Sequence, residues 1–520
     1  MKPRLLTVAV FVGGLTSLGV EMAGSRLLGS VFGTSNLVWA NIIGLILLYL
    51  TAGYFIGGRW ADRSPFHTTF YRVLAWGAFT SGLIPIVGRP VLQIAAGAVQ
   101  RLDAAVMAGS FLSVLVLFTI PVTLLGCISP FAIRLAISDP EHAGRVSGRI
   151  YALSTLGSIF GTFLPVLWLI PMLGTSRTFL VLSMVLLAVA LAGLASVDRA
   201  AALRYLLMPL ALIALAWLTL SGPLKKDPGQ VYEGESAYNY IEVLEQGGSR
   251  YLLLNEGQAI HSVYTPGQLA TFGTWDYFLA APFFNDALFS PSDVDRLGIV
   301  GLAAGTIAKQ YTAVFGPIPI DGWEIDPEII QVGREYFDMT EPNLNAIVAD
   351  GRWGLRVSQH QYSVIAIDAY RPPYIPFHLT SVQFFDLVRE RLTENGVLVI
   401  NVGRTPGDRR LIEAMVGTLQ PVFTSIHVVD VPNTFNSMVY ATVQPTEPES
   451  LVANLAMLQS SGDHPFLTDV VRRAAENLQP TPSSDIVFTD DKAPVENLVN
   501  SIVIRYMLGS PGELLGGSTQ

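Results

Sequence analysis

Hydrophobic and polar positions divide this chain into two regimes. Up to about residue 222 the apolar positions form long uninterrupted runs, near 5–25, 37–57, 69–88, 104–126, 150–172, 178–196 and 204–220. Each is about the 17–25 residues that a helix needs to cross the hydrocarbon core, so the pattern predicts about seven transmembrane helices over 1–222. The first run lacks a small-residue cleavage pattern and is followed by six more, which sets it apart from a signal peptide. Past this region the runs shorten. VYEGESAYNYIEVLEQGGSRYLLLNEGQAIHSVY alternates around a Gly-Gly turn and predicts a small β-hairpin domain over 223–268. TWDYFLAAPFF reads as a helix leading into the main sheet. From Arg296 onward the runs RLGIV, IPIDGWEID, NAIVADG, YSVIAIDAY and GVLVINV alternate with helical stretches. That rhythm predicts a parallel sheet covered by helices, an α/β Rossmann-like domain over 269–446. IHVVDVP and NSMVYATV predict a closing β-pair, and 447–520 a helical extension with a disordered end.

The chemistry gathers at the strand ends. In open α/β sheets ligands bind outside the carboxyl ends of the strands. Here those ends carry Gly301 and Gly305, then Glu324 and Asp326, then Asp350 and Gly351, then Asp368. Glu324 follows Gly301 by 23 residues, close to the roughly 20 expected of an acid that accepts ribose hydroxyls. The turn is G-x-x-x-G, without the spacing of dinucleotide enzymes and without a P-loop lysine. Together these features predict a nucleoside site. Glycine turn, ribose acid, Asp350-Gly351 and Asp368 in that order resemble S-adenosylmethionine-type methyltransferase folds.

More specifically, EIDPEIIQVGREYF, ADGR and IDAYRPPYIPFHLTSVQFFDLVRERLTENGVLVINV resemble the spermidine synthase (polyamine aminopropyltransferase) family, over roughly 230–445. The resemblance implies that decarboxylated S-adenosylmethionine or S-adenosylmethionine is the co-substrate, with an amine or polyamine-like acceptor and no metal. It makes Asp368 the catalytic base and aligns Asn239 with a glutamine that helps bind the donor. It also exposes departures. Arg371 replaces the second acid of the family's D-x-x-D-P motif, Ala304 stands where an aspartate grips the donor's ammonium, and Trp275, Asp276 and Tyr277 replace a Tyr-His/Gln-Glu run. Tyr370, Arg371 and Asp276 are the substrate-side candidates. Asp490 and Asp491, in FTDDKAPVENL, join them through likeness to a motif of fused family members, or else cap a helix as solvated acids. Three functions stay open: an aminopropyltransferase with an altered acceptor site, a methyltransferase, or a ligand-binding domain without turnover on a transporter-like protein.

Composition agrees with two regimes. Half the chain is hydrophobic (51%), 14% is charged and the mean hydropathy is +0.45, where soluble proteins carry about 25% charged residues. The single cysteine, Cys127, rules out a disulfide framework or a thiolate metal site. A net charge of −9 argues against nucleic acid as partner and suits a cationic substrate. Glu21 and Arg26 lie inside the first apolar run, and an ionisable group there is a functional-site candidate by default. GGLTSLGVEMAGSRLLGSVFG and RIYALSTLGSIFGTFL resemble the membrane half fused to spermidine synthase-like domains; GYFIGGRWADR does so too, and its GGRWADR loop also resembles a loop of major facilitator transporters. The expectation is a multi-pass protein of the cell membrane that forms a homodimer. The arginine-rich loops and an odd span number would put the soluble domain outside, whereas Lys225, Lys226 and a cytosolic donor favour the cytoplasm.

Overall fold

The computed structural model describes residues 3–33, 35–99, 104–220, 227–255, 259–371, 374–462 and 464–509. The linker that carries Lys225 and Lys226, and the end from 510 expected to be disordered, lie outside the described residues. The chain divides into two compact units. One holds Met1–Pro228 with Glu233–Tyr240 and Asn255–Gly257; the other holds Gly229–Tyr232, Ile241–Leu254 and Gln258–Gln520.

Seven helices in the first unit are long and apolar enough to cross a membrane: Arg4–Phe32, Val38–Arg63, His67–Ile94, Gly109–Ala136, Pro140–Leu173, Thr175–Val197 and Arg199–Thr219. A helix satisfies its backbone internally, which apolar surroundings demand. Small residues let two of these helices touch: a Cβ on Gly157 would sit 2.0 Å from the Phe11 carbonyl oxygen, and one on Gly161 2.1 Å from that of Leu15. Any larger side chain there would push the first and fifth helices apart. Glu21 is 9% exposed within the bundle. Arg26 donates to the carbonyls of Tyr238, at 2.9 Å, and Ser236. Glu235 accepts from the backbone N–H and hydroxyl of Thr175, at 2.7 and 2.6 Å.

The hairpin region forms a four-stranded sheet in the order β1 (Gln230–Glu235), β2 (Tyr240–Gln246), β3 (Ser249–Leu254), β4 (Ile260–Tyr264). The main sheet has eight strands: β5 (Leu297–Val300), β6 (Ile320–Glu324), β7 (Leu344–Val348), β8 (Tyr362–Ile367), β9 (Leu392–Gly403), β10 (Ser425–Asp430), β11 (Asn436–Thr442) and β12 (Leu478–Gln479). Their order is β12-β10-β11-β9-β8-β5-β6-β7. The strands β5 to β9 pair in parallel, and β10, β11 and β12 add antiparallel neighbours on one side. Every residue of β5, β6 and β8 is buried, as in strands covered on both faces; β5 and β8 are near-continuous apolar runs, whereas β6 also buries Asp321 and Glu324.

Helices α1 (Thr306–Phe315), α2 (Pro327–Tyr336), α3 (Gly351–Val357), α4 (Val382–Arg391) and α5 (Arg410–Leu419) cover the faces. Three more follow the sheet, α6 (Pro448–Ser461), α7 (Pro465–Glu476) and α8 (Val495–Gly509). Two apolar clusters pack against the sheet, one including Leu297, Ile299, Tyr311 and Tyr440, the other Ile365, Ile367, Leu398 and Phe384.

Topology places the site. The chain begins the parallel sheet at β5, winds out to β6 and β7, then returns to the other side of β5 as β8. In open α/β sheets a reversal of this kind is where ligands bind, which points to the carboxyl end of β5. Val300 is level with Trp323 on one neighbour and Ile367 on the other. The next residues, Gly301, Glu324 and Asp368, therefore emerge at the same height.

Candidate functional site

The turn after β5 needs its glycines. Gly301 has φ +89°, and a Cβ there would lie 2.7 Å from the Asp368 carbonyl oxygen and 2.8 Å from Ala369. Only a bare backbone lets the turn lie against the end of β8. Gly305, with φ +87°, precedes α1. Strand β4 straps the same turn: the Ala304 N–H donates to the Ser262 hydroxyl at 3.0 Å, and Thr306 exchanges hydrogen bonds with the Val263 backbone at 3.1 Å. Beside this strap lies an open cavity lined by Val263, Gln268, Thr271, Ala304, Thr306 and Gln310.

Glu324 ends β6 with 8% exposure. Its carboxylate accepts from the backbone N–H of Ala303 at 3.0 Å and of Asp326 at 3.1 Å. Burial nevertheless dominates and pushes its pKa up to about 7. Each oxygen keeps a lone pair beyond these bonds, which suits a vicinal diol. Asp326 is fully buried and caps α2 through the Glu328 N–H at 3.1 Å. Asp350 caps α3 through the Trp353 N–H at 3.0 Å, and its other oxygen meets His378 Nε2 at 3.0 Å. That hydrogen bond holds Asp350 below the usual carboxylate range. Gly351 starts α3, where a Cβ would strike Val300 at 2.5 Å. Exposed Ile325 and Trp353 flank these carboxylates in sequence and offer apolar surface.

Asp368 is half-buried at the end of β8, and desolvation of its carboxylate raises the pKa to about 6. Two donors oppose that shift, the Asn401 amide at 3.0 Å and the Trp275 indole N–H. The Tyr370 hydroxyl donates to the Asn401 carbonyl at 2.9 Å. Sequence reasoning had not singled out Asn401. The available signal was a lone amide inside the apolar run VLVINV, which an unaided core strand would not carry.

Other expected site residues are engaged elsewhere. Asp276 is fully buried, and its carboxylate accepts from Thr271 N–H and hydroxyl, Phe272 N–H, Gln310 Nε2 and Arg473 at 2.7–3.1 Å. That leaves it no face for a substrate; it fastens the loop before the Thr274–Phe278 helix to α7. Asp490 forms a two-pronged pair with Arg352, both contacts 2.7 Å, and accepts from Ser381 at 2.5 Å. It clasps the C-terminal segment to α3 and α4. Asp491 is exposed in the turn beside it, and Arg371 is exposed and bridged to Tyr374. Asn239 belongs to the first unit, where its Oδ1 accepts from Asn255 at 2.9 Å. Among the described residues no group of three His, Cys, Asp or Glu side chains is placed to hold a metal ion.

Arg352→Met should lower thermal stability by about 1 kcal/mol, since Asp490 is partly exposed. The hydrogen bond from Arg352 lowers the Asp490 pKa to about 2. The native state therefore prefers the ionised carboxylate, and the contribution is present at neutral pH and lost on acidification. The difference between wild type and variant should fade as pH falls from about 4 toward 2. A calorimetric comparison at pH 7 and pH 3 checks it.

Residues 318–454 match the spermine/spermidine synthase domain. A protein named as a probable polyamine aminopropyl transferase of Bifidobacterium longum is 34% identical over 283 residues, 51% of this chain and 61% of the relative. The polyamine aminopropyltransferase of Vibrio vulnificus is 27% identical over 191 residues, 35% of this chain and 62% of the relative. This chain thus spans about three fifths of the length of these relatives. A crystal structure of a probable spermidine synthase from Corynebacterium glutamicum superposes with a TM-score of 0.39 at 20% identity, over 48% of this chain and 95% of that one. Residues 318–454 thus resemble a spermine/spermidine synthase domain, in a chain whose described N-terminal residues include seven helices long and apolar enough to cross a membrane.

Proposed function

We propose that this protein is a membrane-anchored transferase that moves an aminopropyl group from decarboxylated S-adenosylmethionine to an amine, with an acceptor site unlike that for a simple diamine. One observation carries the reading. A carboxylate with a pKa near 6, Asp368, stands level with a glycine turn and a buried ribose-type acid, Glu324. An alkyl ammonium titrates near 10.4 and must lose a proton before it attacks. As the amine nitrogen bonds to the propyl carbon, the carbon–sulfur bond breaks and its electron pair goes to sulfur, leaving neutral methylthioadenosine. The amine proton passes to Asp368, a base poised close to neutral pH. The ribose hydroxyls bind Glu324, Asp350 lies toward the adenine, and the α/β unit faces the cytoplasm, where the donor is made. Arg371 carries a positive charge three positions past Asp368, so putrescine is a poor acceptor.

One observation favours a second reading, methyl transfer from S-adenosylmethionine itself. Ala304 is 2% exposed and its methyl side chain carries no acceptor, so this side chain offers nothing to a donor's ammonium. The donor separates the readings. Protein in detergent or native membranes should release methylthioadenosine from the decarboxylated donor with at least one amine of a panel. Release of S-adenosylhomocysteine from the carboxylated donor would establish the second reading. Neither product across the panel would reject both and leave a ligand-binding domain.

A further inference from the structure

We infer that Asn401 is the positioning residue for Asp368, and that Asn436 fixes which end of the Asn401 carboxamide meets the carboxylate. The inference rests on Asp368 acting as the base. Its ground is geometric. Ile367 of β8 is level with Ile400 of β9, so Asp368 and Asn401 leave their strands side by side. Asn401 Nδ2 donates to Asp368 Oδ1 at 3.0 Å, and Asn436 Nδ2 donates to Asn401 Oδ1 at 2.8 Å. An amide has one donating and one accepting end. Because Asn436 occupies the accepting end, the donating end must face Asp368, and a flipped Asn401 would set two NH2 groups against each other. The Tyr370 hydroxyl ties the Asn401 backbone at 2.9 Å, and Asn401 is 6% exposed.

The consequence concerns the proton. Asp368 Oδ1 stays an acceptor toward Asn401, so the carboxylate is held in one orientation as the proton from the incoming amine arrives. Asn401 also favours the charged form of Asp368 and offsets part of the desolvation that raises its pKa. Facing Asp368 are Asn401 from β9, the Trp275 indole from the Thr274–Phe278 helix, the Gly301 turn after β5, and Tyr370, the titratable group that feels its charge.

The test uses the full-length protein in detergent and two variants. Asn401→Leu keeps the volume and removes the donor, and should move the acidic limb of the kcat/KM profile upward by about one pH unit. Asn436→Leu, which keeps Asn401 but frees its amide to flip, should shift the limb the same way by less. It should add nothing in the Asn401→Leu background. A second readout needs no turnover: the Tm difference between Asp and Asn at position 368, followed against pH, reports the Asp368 titration directly. Its midpoint should rise by about one unit when Asn401→Leu is present. An unmoved midpoint in folded Asn401→Leu and Asn436→Leu proteins would overturn the positioning role. A moved midpoint with no product released by wild type would uphold the positioning and overturn the transferase reading instead.

Discussion

Asp368→Asn should abolish turnover while leaving nucleoside binding nearly intact. General-base catalysis contributes roughly 10²–10⁴-fold, and the loss should fall in kcat in that range. The carboxamide keeps the shape of the carboxylate and can still accept from Asn401 at its Oδ1, but it cannot take the amine proton. Binding of methylthioadenosine, measured by calorimetry, should change less than a few-fold, because the ribose-type acid and Asp350 are untouched. Turnover in the variant within threefold of wild type would remove Asp368 from the chemistry.

The same substitution should stabilise the protein at alkaline pH. Burial raises the Asp368 pKa from the usual 3.8 to about 6. The native state therefore holds the proton more tightly than the unfolded chain, and stability is lost as pH rises between about 4 and 6. Above that window wild type carries an ionised, desolvated carboxylate that Asn lacks. The variant should be the more stable protein at pH 8, by on the order of 2 kcal/mol after allowing for partial exposure of the residue. The advantage should vanish near pH 4. A variant less stable than wild type at pH 8 would mean that the desolvation is smaller than the hydrogen bonds it loses.

The parallel strands and their helices were legible because burial on both faces leaves unbroken apolar runs, and α1 begins at Thr306 where the small-residue turn ends. Strand order was not legible. No periodicity states that β8 returns to the flank of β5, and that return is what sets Asp368 level with Gly301 and Glu324. The strand ends showed which residues carry charge but not which of them are already engaged. Asp276, Asp326 and Asp490 are acids at plausible places, yet one is enclosed by five donors, one caps a helix and one holds Arg352. Such engagement depends on residues far away in sequence: Arg473 reaches Asp276 across 197 positions and Arg352 reaches Asp490 across 138. Asn401 went unnoticed for the matching reason, since its meaning appears only once β9 lies beside β8.

Glu324→Ala should weaken nucleoside binding by roughly 10²–10⁴-fold, because two hydrogen bonds from hydroxyls to a carboxylate contribute about 1.5–3 kcal/mol each. The carboxylate is held in place before any ligand arrives by the Ala303 and Asp326 N–H groups, so the ordering cost on binding is small. Its pKa near 7 adds a pH signature. Ribose hydroxyls donate to the ionised form, and a protonated Glu324 has one oxygen fewer to accept them. Affinity should therefore rise with pH through about 7 and level off above 8, and the bound carboxylate should titrate lower than the free one. Glu324→Gln separates charge from contact: it keeps one acceptor, should bind between wild type and Ala, and should lose the pH dependence near 7. Calorimetry with methylthioadenosine at pH 6 and 8 reads all three proteins. Equal affinity in wild type and Glu324→Ala would end the assignment of this acid to the ribose, and flat wild-type affinity across that range would mean that Glu324 stays charged in the free protein.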